Sequence, residues 1–168
     1  MIKLLQQLKD MGINAVVAGG AVRDQIRGVD PTDIDVWLLG DTSNVNPDVL
    51  ASLLTNPEVQ DNTDSAYYNV RILVKGSYVD SGGITRRVDI IVPGEHYNSP
   101  VELVGSFDFS INQGFVGIDC GFYRPDLSSL TIINADRVTS ERYARFQAMV
   151  DYYNHQEQLR REIDNKSH

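Results

Sequence analysis

Residues 16–39 read VVAGGAVRDQIRGVDPTDIDVWLL, and the fold follows from how this run is punctuated. Ala15 to Ala18 is a short apolar run of the kind that fills a buried strand. Gly19-Gly20 breaks it, Ala21 to Arg27 has helical spacing, and Gly28 stops that helix. Asp30-Pro31-Thr32 is a turn. Ile34, Val36 and Leu38 then alternate with Asp33, Asp35 and Trp37, the signature of a half-buried strand.

Residues two apart in a strand share a face, about 6.6 Å apart along the chain. Asp33 and Asp35 therefore aim two carboxylates at one place, where hard, oxygen-seeking cations such as Mg²⁺ bind. Two-metal phosphoryl transfer needs such a cluster, with ions about 3.5–4 Å apart, and a third carboxylate from a neighbouring strand would complete it. Asp89, in Arg-Arg-Val-Asp-Ile-Ile, is the best candidate. Taken alone, a D-x-D pair is more often a solvated or turn feature. An EF-hand reading fails, because Trp37 replaces a ligand and Leu38 stands where the loop needs glycine.

Glycines between a strand and a helix let backbone N–H groups approach a phosphate, and the helix N-terminus adds favourable partial charge. Gly19 and Gly20 hold that position, and Arg23 in the first turn supplies a fixed cation. A tight turn with no ligand is the commoner fate of a lone Gly-Gly. There is neither G-x-G-x-x-G nor G-x-x-x-x-G-K-[ST], so dinucleotide-binding and P-loop readings fail. The conjunction of glycine hinge and aspartate pair carries the argument.

Outward from this run, Ile2, Leu5 and Leu8, with Leu4 beside them, predict an amphipathic first helix ended by Gly12 and Asn14. Residues 41–58 read as a loop, then a helix opening near Asn46-Pro47 and ending before Pro57. Val70, Ile72 and Val74, and then Val88, Ile90 and Val92, predict an antiparallel hairpin across the turn-rich GSYVDSGG. A further strand pair is expected at 114–119 and 130–133. Thr139 or Ser140 caps a last helix with Tyr143, Phe146, Met149, Val150 and Tyr153 as its apolar stripe. Tyr67, Tyr68, Tyr78 and Tyr97 read as strand and hairpin packing. The expectation is one α/β (α+β) domain over 1–160, a mixed β-sheet flanked by helices with a C-terminal helix, and a flexible tail at 161–168.

The formal net charge of −8 argues against broad adhesion to nucleic acid, although Arg23, Arg27, Arg86, Arg87, Arg142 and Arg145 leave room for a local basic groove. One cysteine, Cys120, excludes an internal disulfide and suits a reducing compartment such as the cytoplasm. The N-terminal segment is too short and polar for a signal peptide or membrane span, so no membrane association is expected.

Gly19-Gly20-Ala21-Val22-Arg23-Asp24, then Gly28, then Asp33-Ile34-Asp35 resembles the G-G-x-V-R-D…G…D-x-D signature of tRNA nucleotidyltransferases (CCA-adding enzymes) and bacterial poly(A) polymerases. Phe107-Asp108-Phe109-Ser110-Ile111-Asn112 is similar to the family's R-D-F-T-I-N segment, with Phe107 in place of arginine. Glu141-Arg142-Tyr143-Ala144-Arg145 is similar to its E-D-x-x-R motif, with Arg142 in place of aspartate. The resemblance covers the family's head domain and the start of its neck helix, without the helical domains that grip tRNA.

The resemblance implies a nucleotidyltransferase fold and transfer of NMP from an NTP to an acceptor hydroxyl, an RNA 3′ end first among acceptors, with pyrophosphate release. It implies that Asp33, Asp35 and Asp89 ligate two Mg²⁺ or Mn²⁺ ions. Gly19, Gly20, Arg23 and Asp24 would belong to the nucleotide's phosphate site, Asp108 and Asn112 would line its pocket, and Arg145 would lie near the base. Replacing an acceptor-only carboxylate by donor-only Arg142 removes half of the base-reading edge. Arg142 is then either a phosphate contact or a solvated helix residue. The competing reading is a catalytically silent nucleotide-binding or antitoxin-like module on the same scaffold. A partner chain or homo-oligomer could replace the missing RNA grip. Retention of three mutually repelling carboxylates favours the enzyme, because a silent scaffold has little reason to keep them.

Overall fold

The computed structural model describes residues 1–63 and 69–166. Tyr67 and Tyr68 lie outside them. Chain order is α1 (Ile2–Asp10), β1 (Asn14–Ala18), α2 (Gly20–Ile26), β2 (Asp33–Leu39), α3 (Pro47–Ala51), β3 (Thr55–Asp61), β4 (Val70–Val79) and β5 (Thr85–Pro93). Then follow α4 (Pro100–Val104), β6 (Phe115–Gly117), β7 (Gly121–Tyr123) and α5 (Ser140–Lys166), with 3₁₀ turns at Ser110–Asn112 and Ala135–Arg137. The strands form one sheet in the order β3-β4-β5-β2-β1-β6-β7. Among the described residues only β2 and β5 run parallel, so the sheet is mixed as expected.

Alternation sorts β2 between two layers. Ile34, Val36 and Leu38 join Leu4, Leu5 and Leu8 of α1, Val22 of α2 and Leu50 of α3 in the main core. Ile2 is exposed instead, so the buried stripe of α1 is Leu4, Leu5 and Leu8. Asp33, Asp35 and Trp37 necessarily face the other way. There a smaller cluster of Val16, Ala18, Leu103, Val104, Phe107 and Phe115 packs with Trp37 and Leu39. A third cluster, Phe109, Ile111, Leu127, Phe146 and Val150, holds α5. The carboxylate face is thus covered at one end and open over β5, β4 and β3.

The hairpin forms, with longer strands than anticipated: Gly76 to Val79 continues β4, and only residues 80–84 turn. Asp80 organises that turn by accepting from the N–H groups of Gly82 (3.0 Å) and Ile84 (3.1 Å). Tyr78 is buried in β4 and its hydroxyl donates to Gln7 (2.8 Å). Tyr97 packs partly buried on the second cluster.

Two expectations need correction. The third helix ends at Ala51, and residues 55–61 form β3, an edge strand exposed along its whole length. With no buried face it has no apolar alternation, and Pro57 is tolerated at an edge. Second, Leu130 to Ile133 is not a ladder strand. Phe109 makes an isolated bridge with Ile132, while β6 pairs with Gly121–Tyr123. The last helix, α5, continues as far as Lys166. Its cap is Thr139, whose Oγ1 accepts from the Arg142 N–H (3.2 Å).

Candidate active site

Gly19 ends β1 with φ +96°, a backbone conformation that side chains other than glycine's rarely adopt. Its N–H donates to the Gly114 carbonyl (3.0 Å), which fixes the bend. A Cβ on Gly20 would meet Arg23 Nη2 at 3.1 Å, so the small residue leaves the guanidinium its place. Gly19, Gly20 and Arg23 all line one cleft of about 810 Å³, together with Asp35, Trp37, Phe107, Asp108, Asn112 and the first turns of α5.

Arg23 is 5% exposed. It donates through Nε to Asp24 (3.1 Å) and through Nη1 to Asn112 Oδ1 (2.5 Å). Burial lowers its pKa and Asp24 opposes that. Asp24 itself does not line the cleft; it sits behind Arg23 and also accepts from Arg27 (2.9 Å). Asn112 donates through Nδ2 to Asp108 Oδ1 (3.0 Å), and the Phe109 N–H donates to the same oxygen (2.8 Å). Asp108 Oδ2 accepts from Arg142, through Nε at 3.0 Å and a second, shorter bond from Nη2. Burial pushes Asp108 upward, but the bonds from Asn112 and Arg142 outweigh it and hold the carboxyl below its ordinary range.

Arg142 is thus half of an ion pair, although its side chain stays 44% exposed at the cleft wall. Three guanidinium carbons, those of Arg23, Arg142 and Arg145, lie 5.2–5.3 Å from the centre of the Phe146 ring. Cations at this distance from an aromatic face are attracted by its quadrupole. Arg137, from the 3₁₀ turn before α5, adds a fourth arginine to the lining. Of the arginines flagged in sequence, only Arg23, Arg142 and Arg145 reach this cleft. Arg86 is on another surface with Asp30 and Asp80, and Arg87 is beside Asp33 (3.4 Å).

The carboxylates come from adjacent parallel strands, with Asp35 directly in register with Asp89 and Asp33 with Arg87. Burial first, then Asp89, then Asp33 raise the Asp35 pKa to about 6, with Lys75 opposing. Burial and Asp33 raise Asp89 too, with Lys75 and Arg87 opposing. Asp33 is largely exposed. Among the described residues no three His, Cys, Asp or Glu side chains are grouped so as to hold a metal ion, and Asp33, Asp35 and Asp89 are therefore not gathered into one such group. The donor set nonetheless fits a hard divalent ion: oxygen-only ligands whose mutual repulsion a cation would relieve.

Sequence reading missed Trp37, Arg137 and Phe146 as cleft residues. Trp37 was legible as the next residue on the Asp33–Asp35 face. It tilts against Phe107 with ring centres 5.3 Å apart. Its buried Nε1 has no partner. Phe146 presented itself as core, which it also is, and nothing local distinguishes Arg137.

No protein-family model matches the sequence, and no curated protein matches it. Solved structures do. The chain is similar to the Bacillus stearothermophilus CCA-adding enzyme in complex with CTP, at 18% identity and a TM-score of 0.52, over 89% of this chain and 35% of that one. It is similar to the Thermotoga maritima CCA-adding enzyme complexed with tRNA at 17% and 0.51, over 79% and 31%. An apo CCA-adding enzyme gives 17% and 0.53, over 78% and 32%. This chain spans about a third of the length of these proteins. The likeness is one of fold: the domain shares the mixed-sheet α/β fold of these structures, which the resemblance in the glycine and aspartate motifs implied.

Proposed function

We propose that this chain is a metal-dependent nucleotidyltransferase that moves NMP from an NTP to an acceptor hydroxyl, an RNA 3′ end, and releases pyrophosphate. One observation carries the reading. The glycine-hinged turn, Arg23 and Asp35 line one cleft, and Asp35 is in register with Asp89 on the neighbouring strand. In-line displacement at phosphorus needs a phosphate cradle beside a carboxylate cluster.

Gly19, Gly20 and Arg23 hold the triphosphate, and the arginines on α5 extend the cationic wall. Asp33, Asp35 and Asp89 would hold Mg²⁺ or Mn²⁺, two ions, whose charge offsets that of the phosphates. The acceptor oxygen bonds to the α-phosphorus, the bond from that phosphorus to the bridging oxygen of pyrophosphate breaks, and Asp89 takes the hydroxyl proton. Among the described residues no helix is long and apolar enough to cross a membrane.

The test is incubation with each labelled NTP and Mg²⁺ or Mn²⁺, with and without RNA, comparing wild type with Asp33→Ala/Asp35→Ala. Labelled RNA and pyrophosphate from wild type alone are expected. NTP binding without pyrophosphate release across RNA, protein and small-molecule acceptors would instead identify the silent module.

A further inference from the structure

The carboxylate row does not stop at Asp89. In the β4–β5 ladder Lys75 lies directly opposite Asp89, and in the β3–β4 ladder Glu58 lies directly opposite Lys75. Directly opposed residues share a face, about 5 Å apart at Cβ. The open face therefore carries Glu58, Lys75, Asp89 and Asp35 in one line across four strands, with the Gly19-Gly20 turn at the far end of β1. Lys75 itself is exposed on that face.

Geometry of displacement gives this line a direction. Attacking and leaving oxygens lie roughly opposite each other across the reacting phosphorus. The leaving pyrophosphate lies toward the β1 turn and Arg23, so the attacking hydroxyl enters over β5 from the β4 side. Arg87 on β5 is beside Asp33 (3.4 Å), and the cation directly opposite Asp89 is Lys75.

Resting on the nucleotidyltransferase reading, we infer that Lys75 is an acceptor-positioning residue. It binds the phosphodiester adjacent to the attacking 3′-hydroxyl and thereby selects a polynucleotide end over an uncharged acceptor. An ammonium is a compact point charge suited to one phosphate oxygen. Its pairing with Glu58 is the structural alternative.

The experiment measures steady-state transfer by wild type, Lys75→Met, Lys75→Arg and Glu58→Gln. Acceptors are an oligoribonucleotide with a 3′-hydroxyl and the same strand with a neutral methylphosphonate as its last linkage. In wild type the methylphosphonate is expected to raise the acceptor KM roughly tenfold, the scale of one charge-assisted contact. Lys75→Met should raise the KM of the charged strand similarly and make the two acceptors equivalent. The NTP KM should not move, and Lys75→Arg should restore most of the difference.

Several outcomes overturn the inference: wild type indifferent to the methylphosphonate, Lys75→Met raising the NTP KM as much as the acceptor KM, Glu58→Gln reproducing Lys75→Met, or wild type modifying a protein instead of RNA. Should Lys75→Met fail to fold, Lys75→Gln takes its place in the same comparison of the two acceptors. No transfer by wild type to any acceptor sinks the enzymatic reading and this inference with it. Transfer that ignores Lys75 sinks only the latter.

Discussion

Arg142, on the first turn of α5, donates from both Nε and Nη2 to a single oxygen of Asp108, a carboxylate only 8% exposed. The partner oxygen is occupied by Asn112 and the Phe109 N–H, so Asp108 has a donor on each side. Restoring an aspartate at position 142 would put two carboxylates where this chain has an ion pair.

Arg142→Ala is accordingly expected to destabilise the protein by about 1–3 kcal/mol at pH 7, and Arg142→Asp by more. Asp108 is held below its ordinary pKa in the folded state. Its contribution is therefore present above the unfolded carboxylate pKa and lost as pH falls through the folded one. Thermal melts should show the Arg142→Ala deficit shrinking below about pH 4.

Asp35 behaves in the opposite sense. Its folded pKa is about 6, above the ordinary value of 3.8, so ionising it costs stability as pH rises through that window. Asp35→Asn should be more stable than wild type at pH 7, by on the order of 2–3 kcal/mol without divalent ions. The gain should vanish below pH 4, and transfer activity should be lost. Denaturant melts at pH 4 and pH 7 provide the check, and an equal difference at both would refute the assignment.

Phe146→Leu tests the ring shared by three guanidinium groups. The ring also stands edge-on to Phe109 (5.1 Å) and is 3% exposed. Loss of about 1–3 kcal/mol in stability is expected from packing and ring contacts together. NTP affinity by calorimetry should fall several-fold, since the arginines lose their common platform. Unchanged affinity would mean the arginines hold their places without it.

Gly19→Ala should cost about 1–3 kcal/mol, because alanine is strained at φ +96° whatever the space around it. NTP binding should fall further than stability alone predicts. Gly114→Ala is a control with a different cause. Its Cβ would lie 2.6 Å from Val22 Cγ1, so it overpacks the main core under α2.

What sequence made legible was whatever alternation or a glycine break records locally. Asp33, Asp35 and Asp89 could be assigned to one face because each sits among buried β-branched neighbours on the opposite phase. β3 left no such record, since all seven of its residues are exposed. Leu130 to Ile133 looked like a strand because apolar residues cluster there, yet Ile132 and Ile133 remain largely exposed beside a single bridge. The Asp108–Arg142 pair joins residues 34 apart, and no local pattern encodes a contact across that span.

β3 also has a bearing on how copies of the chain can meet. Asn56 at φ 51°, Pro57 without an N–H, and the register shift between Thr55 and Glu58 interrupt the row of groups that a foreign strand would need for pairing. The opposite margin, β7, offers only three residues. Both borders of the sheet thus discourage stacking into continuous cross-chain ladders, a safeguard against fibrous aggregation.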